Sequence, residues 1–282
     1  MKNLAKLTAL TLTAALALTA CGNTADSAAP AESTADTAAT EETDGDLLSQ
    51  IQADGTITVA MEGTWAPWTY HDENGDLVRY DVEVGQLIAE KLGVEPEFVE
   101  GEWDGLLAGL DAGRYDMMIN GVDITPERAE KYDFSTPYAY NRTAVITKGD
   151  NDTINSLEDL KDKKTANTIS STYAQLAEQY GADVTGVDDL NQTFELLNSG
   201  RIDATLNAEV TFYDYTKEHP DANVKIAVLT QDANEVAIPL RKGDETATLR
   251  EAINTAIDEL RASGQLKDLS EKYFGTDISS ND

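Results

Sequence analysis

The chain predicts a two-lobed α/β protein, and three observations carry that expectation. Residues 47–282 alternate strand-like and helix-like apolar patterns, as expected of sheets covered by helices. A short internal echo sets Gly113-Arg114-Tyr115-Asp116-Met117-Met118-Ile119-Asn120 against Gly200-Arg201-Ile202-Asp203-Ala204-Thr205-Leu206-Asn207, matching at Gly, Arg, Asp and Asn. Two extended apolar segments, 138–146 and 235–240, bracket the stretch that holds the second copy. The chain is therefore expected to cross twice between similar units. One lobe would comprise 47–138 plus 240–282 and the other 143–235, joined by a two-strand hinge.

In chain order, 56–61 alternates Ile57, Val59 and Met61 in strand fashion. A helix over 82–92 places Val84, Leu87, Ile88 and Leu92 on one face, with Gly93 as its stop. Residues 97–100 read as a second strand. Asp104 is expected to cap a helix carrying Leu106, Leu107 and Leu110 that ends at Gly113. Each copy of the echo then reads as a helix-ending glycine followed by a buried strand closing in asparagine. Ligands of open α/β sheets sit beyond the carboxyl ends of strands, so Asn120 and Asn207 are candidates to face one. The alternative is that both asparagines merely cap turns. A tail helix over 246–263, with Leu249, Ile253, Ile257 and Leu260, and the following Lys272-Tyr273-Phe274-Gly275 would pack back on the first lobe.

The most informative segment is 120–138, NGVDITPERAEKYDFSTPY. Thr125 suits an N-cap and Pro126 the first helical position, which puts Arg128 in the first turn. A cation there is disfavoured by about 0.3–1 kcal/mol, and a capping box would place Glu or Gln instead. An external carboxylate held at the helix start by backbone N–H groups and the guanidinium accounts for the arrangement. A surface pair of Arg128 with Glu127, Glu130 or Asp133 accounts for it equally.

The first residues read as an export signal: Lys2 and Lys6, an apolar run from Leu7 to Leu18, then Leu18-Thr19-Ala20-Cys21. That run is too short for a permanent membrane span. The segment 18–21 resembles the lipobox of bacterial lipoproteins, which implies cleavage after residue 20 and lipidation of Cys21. Residues 22–46 hold seven acids and no base among Ala, Thr and Ser, the composition of a disordered tether. A formal net charge of −31 argues against nucleic acid, which needs basic patches, and against a polybasic hold on lipid. One cysteine forms no internal disulfide. No phosphate loop, nucleophile motif, metal-ligand spacing or nucleotide fingerprint appears, so neither cofactor nor metal is implied.

Taken in order, VAMEGTWAPW at 59–68, YDVE at 80–83, WDGLL at 103–107, the 120–138 segment, GRIDA at 200–204 and KYFG at 272–275 resemble the polar amino-acid solute-binding proteins of ABC importers. The resemblance implies a periplasmic-binding-protein-like (type II) Venus flytrap outside the cytoplasmic membrane. It would be a lipid-anchored monomer that closes on one amino acid, cystine or a basic one included, and delivers it to a membrane permease. By the same resemblance Arg128 holds the ligand carboxylate with Thr172, Ser171 and the helix start they open. Gly121 offers its carbonyl to the ligand ammonium. Trp65 and Trp103 sandwich the ligand, Glu62 reads its side chain, and Thr168 lines the pocket from the second lobe. The chain departs from the family at Ala208, where an Asp commonly pairs with the ammonium. Asp123 is the expected substitute, with Asn207 and Glu209 as secondary candidates. Two alternatives are a dehydratase-like enzyme on the same scaffold and a ligand-sensing subunit.

Overall fold

The computed structural model describes residues 46–281. The signal segment, Cys21 and the acidic tether, as read above, lie outside these residues apart from Asp46. Asp46 caps the helix Leu47–Asp54 by accepting from Ser49 N. Among the described residues no helix is long and apolar enough to cross a membrane.

Two separate sheets organise the chain. The first has Thr56–Met61 between Glu95–Glu100 and Met117–Met118, all parallel. Ile57, Val59, Ala60 and Met61 in its central strand are fully buried, as a strand covered on both faces requires. The second sheet runs in the order Asp183–Gly186, Lys164–Asn167, Ala204–Ala208, Thr143–Lys148, Val224–Leu229. Its first three strands are parallel and its last two pair antiparallel to their neighbours. Between the sheets the chain passes twice, and the two passes pair with each other. Ala139–Asn141 lies antiparallel to Asn234–Val236, and Tyr132–Phe134 antiparallel to Pro239–Arg241.

The helices follow the expected apolar faces. Tyr80–Leu92 buries Val84, Ile88 and Leu92 and ends at Gly93 in the left-handed conformation. It begins two residues before the expected start, because Tyr80 N and Asp81 N donate to the carbonyls of Pro67 and Trp68. Ala247–Ser263 buries Leu249, Ile253, Ile257 and Leu260, and Gln265–Phe274 follows it.

Four expectations are corrected. Asp104 is not a cap: the helix Trp103–Asp111 starts after Glu102, and the Asp104 carboxylate instead accepts from Ser170 Oγ of the other sheet's domain. That helix closes at Ala112, with Gly113 in the left-handed turn just beyond. The second strand starts at Glu95, since Glu95 N already donates to the Gly55 carbonyl. The echo holds at the level of strand placement but not length. The first copy makes only Met117–Met118, whereas the second runs through Asn207 to Ala208.

Candidate functional site

Parallel register brings the carboxyl ends of the first sheet's strands together. Val59 and Ala60 pair with Met117 and Met118, which sets Glu62 beside Asn120. Glu62 N donates to Asn120 Oδ1 at 2.8 Å, and Asn120 Nδ2 donates to Glu62 Oε2 at 2.7 Å. Asn120 is fully buried and lies behind Glu62, outside the cleft lining, so it positions the acid and does not itself face a ligand.

A cleft of about 550 Å³, its open mouth included, lies between the two sheets' domains. Glu62, Trp65, Trp103, Gly121, Asp123 and Arg128 line it from one side. Thr168, Ser171, Thr172 and Asn207 line it from the other. All the expected ligand-binding residues except Asn120 and the secondary candidate Glu209 therefore converge there. Asn167, Tyr173, Asp189, Leu190 and Thr193 join them and were not anticipated. Each sits at the end of a strand or the start of a helix, where only the long-range pairing of the second sheet brings it to the cleft.

Arg128 is only 8% exposed. Thr125 caps its helix as expected, accepting from Arg128 N at 3.1 Å. The guanidinium turns inward: Nη1 donates to the Asp123 carbonyl at 3.0 Å and Nη2 to the Ser170 carbonyl at 3.4 Å. It stands 5.2 Å over the Trp103 ring, a cation–π contact. The surface-pair alternative does not form; Asp133 pairs with Arg250 at 3.5 Å instead. Burial pulls the guanidinium's pKa down and the neighbouring Asp123 pushes it back up.

Asp123 is buried, and its Oδ2 accepts from Thr172 Oγ1 at 2.6 Å and from Asn234 Nδ2 at 3.3 Å. Burial pushes its carboxyl up to about 6, against the pull of Thr172 and Arg128. Burial likewise pushes Glu62 up to about 7, with the negative charges of Asp189 and Asp104 adding to the rise and the Asn120 hydrogen bond opposing it. Glu209 is drawn off to Arg142 at 2.8 Å and does not line the cleft.

The aromatic wall has a fixed geometry. Trp65 stacks on Trp68 at 5.5 Å, and Trp68 packs at 5.1 Å on Phe274 at the end of the helix Gln265–Phe274. Trp68 is core, whereas Trp65 and Trp103 reach the cleft. Gly121, at φ 54°, lies against this stack: a Cβ there would stand 2.7 Å from Trp65 and 3.2 Å from Trp68. Beneath it lies a carboxylate that the sequence did not single out. Asp81, fully buried, accepts from Gly121 N at 2.7 Å and from Tyr138 Oη at 2.8 Å. Burial pushes it up to about 8.

Several contacts cross the cleft. Trp65 Nε1 donates to Asn207 Oδ1 at 3.3 Å, Thr172 to Asp123, and Ser170 to Asp104. Arg79 Nη1 stands 3.6 Å from Asp214 Oδ1. The two halves are thus held closed. The site offers one buried cation, buried carboxylates and an aromatic wall in a shielded cleft, an arrangement whose charges complement a small zwitterion.

Comparison with known proteins agrees with this geometry. The family model for bacterial extracellular solute-binding proteins, family 3, matches residues 57–276. A probable amino-acid ABC transporter-binding protein of Haemophilus influenzae is 40% identical over 79% of this chain and 86% of its own length. An ancestral arginine-binding protein, solved with arginine bound, is 39% identical, covers 78% of this chain and 99% of its own, and superposes with a TM-score of 0.74. The L-cystine solute receptor of Neisseria gonorrhoeae, in its unliganded open conformation, is 42% identical over 84% of this chain and 100% of its own. Its TM-score is nevertheless only 0.56, as expected if the two differ in opening between lobes. The protein is a two-lobed member of the bacterial extracellular solute-binding proteins, family 3.

Proposed function

We propose that this protein captures a polar amino acid outside the cytoplasmic membrane and delivers it to the permease of an ABC importer. The observation that carries the reading is Arg128, a buried guanidinium facing the cleft with the Asp123 carboxylate on the same wall. A buried charge without a partner costs several kcal/mol, so the pair suits a ligand that brings both signs. Arg128, with Ser171 and Thr172, takes the α-carboxylate. Asp123 and the Gly121 carbonyl take the ammonium, which moves the counter-charge from the position of Ala208 to the opposite lobe. Trp65 and Trp103 cover the ligand, Glu62, held by Asn120, reads its side chain, and Thr168 and Asn207 close the second wall.

Lobe boundaries at 47–138 plus 240–282 and at 143–235 fit the division of strands between the sheets, with the paired crossing strands as hinge. A lipid on Cys21 would tether a monomer at the membrane through the acidic segment. Binding, not turnover, is the activity, and no cofactor takes part. A thermal-shift panel of the twenty amino acids with cystine and ornithine tests the reading. Ligand at a hundred times its dissociation constant adds about 2.7 kcal/mol, about 5–10 °C in a chain of this size. A panel without any shift would overturn it.

A further inference from the structure

The charges of the cleft fall into two groups. Arg128 and Asp123 act on each other. Glu62 is acted on by the negative charges of Asp189 and Asp104. Arg128 is the one Lys or Arg among the described lining residues, so the Glu62 end carries acids and no base.

Asn167 adds an independent observation. It lines the cleft yet is only 2% exposed. Its Nδ2 donates to the Leu206 carbonyl at 2.7 Å and to Thr205 Oγ1 at 3.4 Å. Thr205 Oγ1 itself donates to the Ala166 carbonyl, so it is an acceptor toward Asn167. Turning the amide over would set Oδ1 against the Leu206 carbonyl, so its orientation is fixed. Oδ1 is left buried without a hydrogen-bond partner. An orphaned buried acceptor is costly, and only a donor from outside the protein relieves it.

We propose that the Glu62 end of the cleft takes a cationic side chain, with Asn167 Oδ1 and Asp189 as specificity-determining acceptors, so that the ligand is a basic amino acid. This rests on the amino-acid reading above and narrows it. A guanidinium or ammonium brings only donors, which matches a wall of acceptors. Cystine brings a second α-carboxylate as well as a second ammonium. That carboxylate would meet Glu62 and Asp189 with no cation to receive it, a like-charge encounter in a shielded site. A glutamine side chain satisfies Asn167 but leaves the acids uncompensated.

Calorimetric titration of the full chain with L-arginine, L-lysine, L-glutamine and L-cystine tests the assignment. The proposal expects arginine or lysine to bind at least about 100-fold more tightly than cystine, the equivalent of about 2.7 kcal/mol. Asp189→Asn keeps a side chain that caps the helix Leu190–Asn198 while removing the charge. It should weaken binding of the basic ligand about 3- to 10-fold. Asn167→Leu should weaken the basic ligand at least 10-fold. Cystine or glutamine bound more tightly than both basic amino acids would overturn the assignment and leave the amino-acid reading intact. So would a basic ligand indifferent to Asp189→Asn. Binding of none of the four would overturn the assignment, and the wider amino-acid reading then stands or falls with the full thermal-shift panel.

Discussion

Asp123 and Arg128 share one wall of the cleft, where the guanidinium hydrogen-bonds the Asp123 backbone and the two side-chain charges act on each other without a direct salt bridge. The guanidinium donates to the Asp123 carbonyl at 3.0 Å, while the carboxylate accepts from Thr172 across the cleft at 2.6 Å. Each charged group thus keeps capacity for a ligand. Asp123→Asn is expected to weaken amino-acid binding about 30- to 4000-fold, the range for truncating one partner of a buried charge pair. Adding Ala208→Asp restores part of the loss by returning a carboxylate from the opposite lobe. Titration calorimetry reads both; an undiminished affinity in the single variant removes Asp123 from the ammonium site.

Acid should weaken binding. Asp123 titrates near 6 and Glu62 near 7 in the free protein, each raised chiefly by burial. A cationic group bound beside either carboxylate requires it ionised, so binding releases a proton once the pH falls below the free value. The dissociation constant is expected to rise about tenfold per pH unit per protonated group below pH 6. Titrations from pH 8 to pH 5 in buffers of different ionisation heat check both the slope and the proton release. A flat profile contradicts the assignment of these acids to cationic groups.

Asp81 carries the opposite consequence for the free protein's stability. Its folded value near 8 lies above the ordinary carboxylate range, so between about pH 4 and 8 the folded state holds a proton that the unfolded state has lost. Stability therefore falls as pH rises through that window, by at most about 1.4 kcal/mol per pH unit for this group. Asp81→Asn, which keeps an acceptor for Gly121 N or Tyr138 Oη, should flatten the fall in melting temperature between pH 5 and 8. An unchanged slope would show that other groups set it.

Arg79 combines two features that a single substitution separates. It holds φ 102°, a conformation that glycine adopts without strain, and it pairs across the lobes with an Asp214 side chain only 7% exposed. Arg79→Gly removes strain of about 1–3 kcal/mol together with the pair. It should raise the melting temperature of the free protein and speed ligand release several-fold. Arg79→Ala loses the pair and keeps the strain, so it should speed release without raising the melting temperature. Stopped-flow tryptophan fluorescence measures the rates, and release unchanged in both variants removes the pair from closure.

Gly121→Ala places a methyl group 2.7 Å from Trp65 in a left-handed backbone. Something must shift, and the tryptophan stack is what lies there. The variant should bind its ligand about 5- to 150-fold more weakly, since displacing a packed ring in a well-packed wall costs about 1–3 kcal/mol. Its tryptophan emission should also change before ligand is added. Wild-type affinity in this variant would show that the Trp65 wall does not set binding.

How much of this was legible depended on how local the signal was. Alternation in 56–61, the face of Val84, Ile88 and Leu92, and the Thr125-Pro126-Arg128 start are written within a few residues, and each formed as read. The inward turn of Arg128 was not decidable by spacing, because a buried and a solvated guanidinium occupy the same helical position. Asn167, Asp189, Leu190 and Thr193 gave no signal, since their place in the cleft depends on strands paired across tens of residues. Asp104 misled because a good capping residue one turn before an apolar run is also a good partner for Ser170. Asp81 sat inside a quoted motif, but nothing in the sequence distinguished a buried carboxylate from a solvated one.

The most direct measurement is a crystal structure of the full chain with the tightest-binding amino acid from the thermal-shift panel. The account predicts the ligand carboxylate on Arg128 and the ligand ammonium on Asp123, with Trp65 and Trp103 against its sides. A ligand whose carboxylate lies away from Arg128, or whose ammonium is neutralised by some residue other than Asp123, would contradict it.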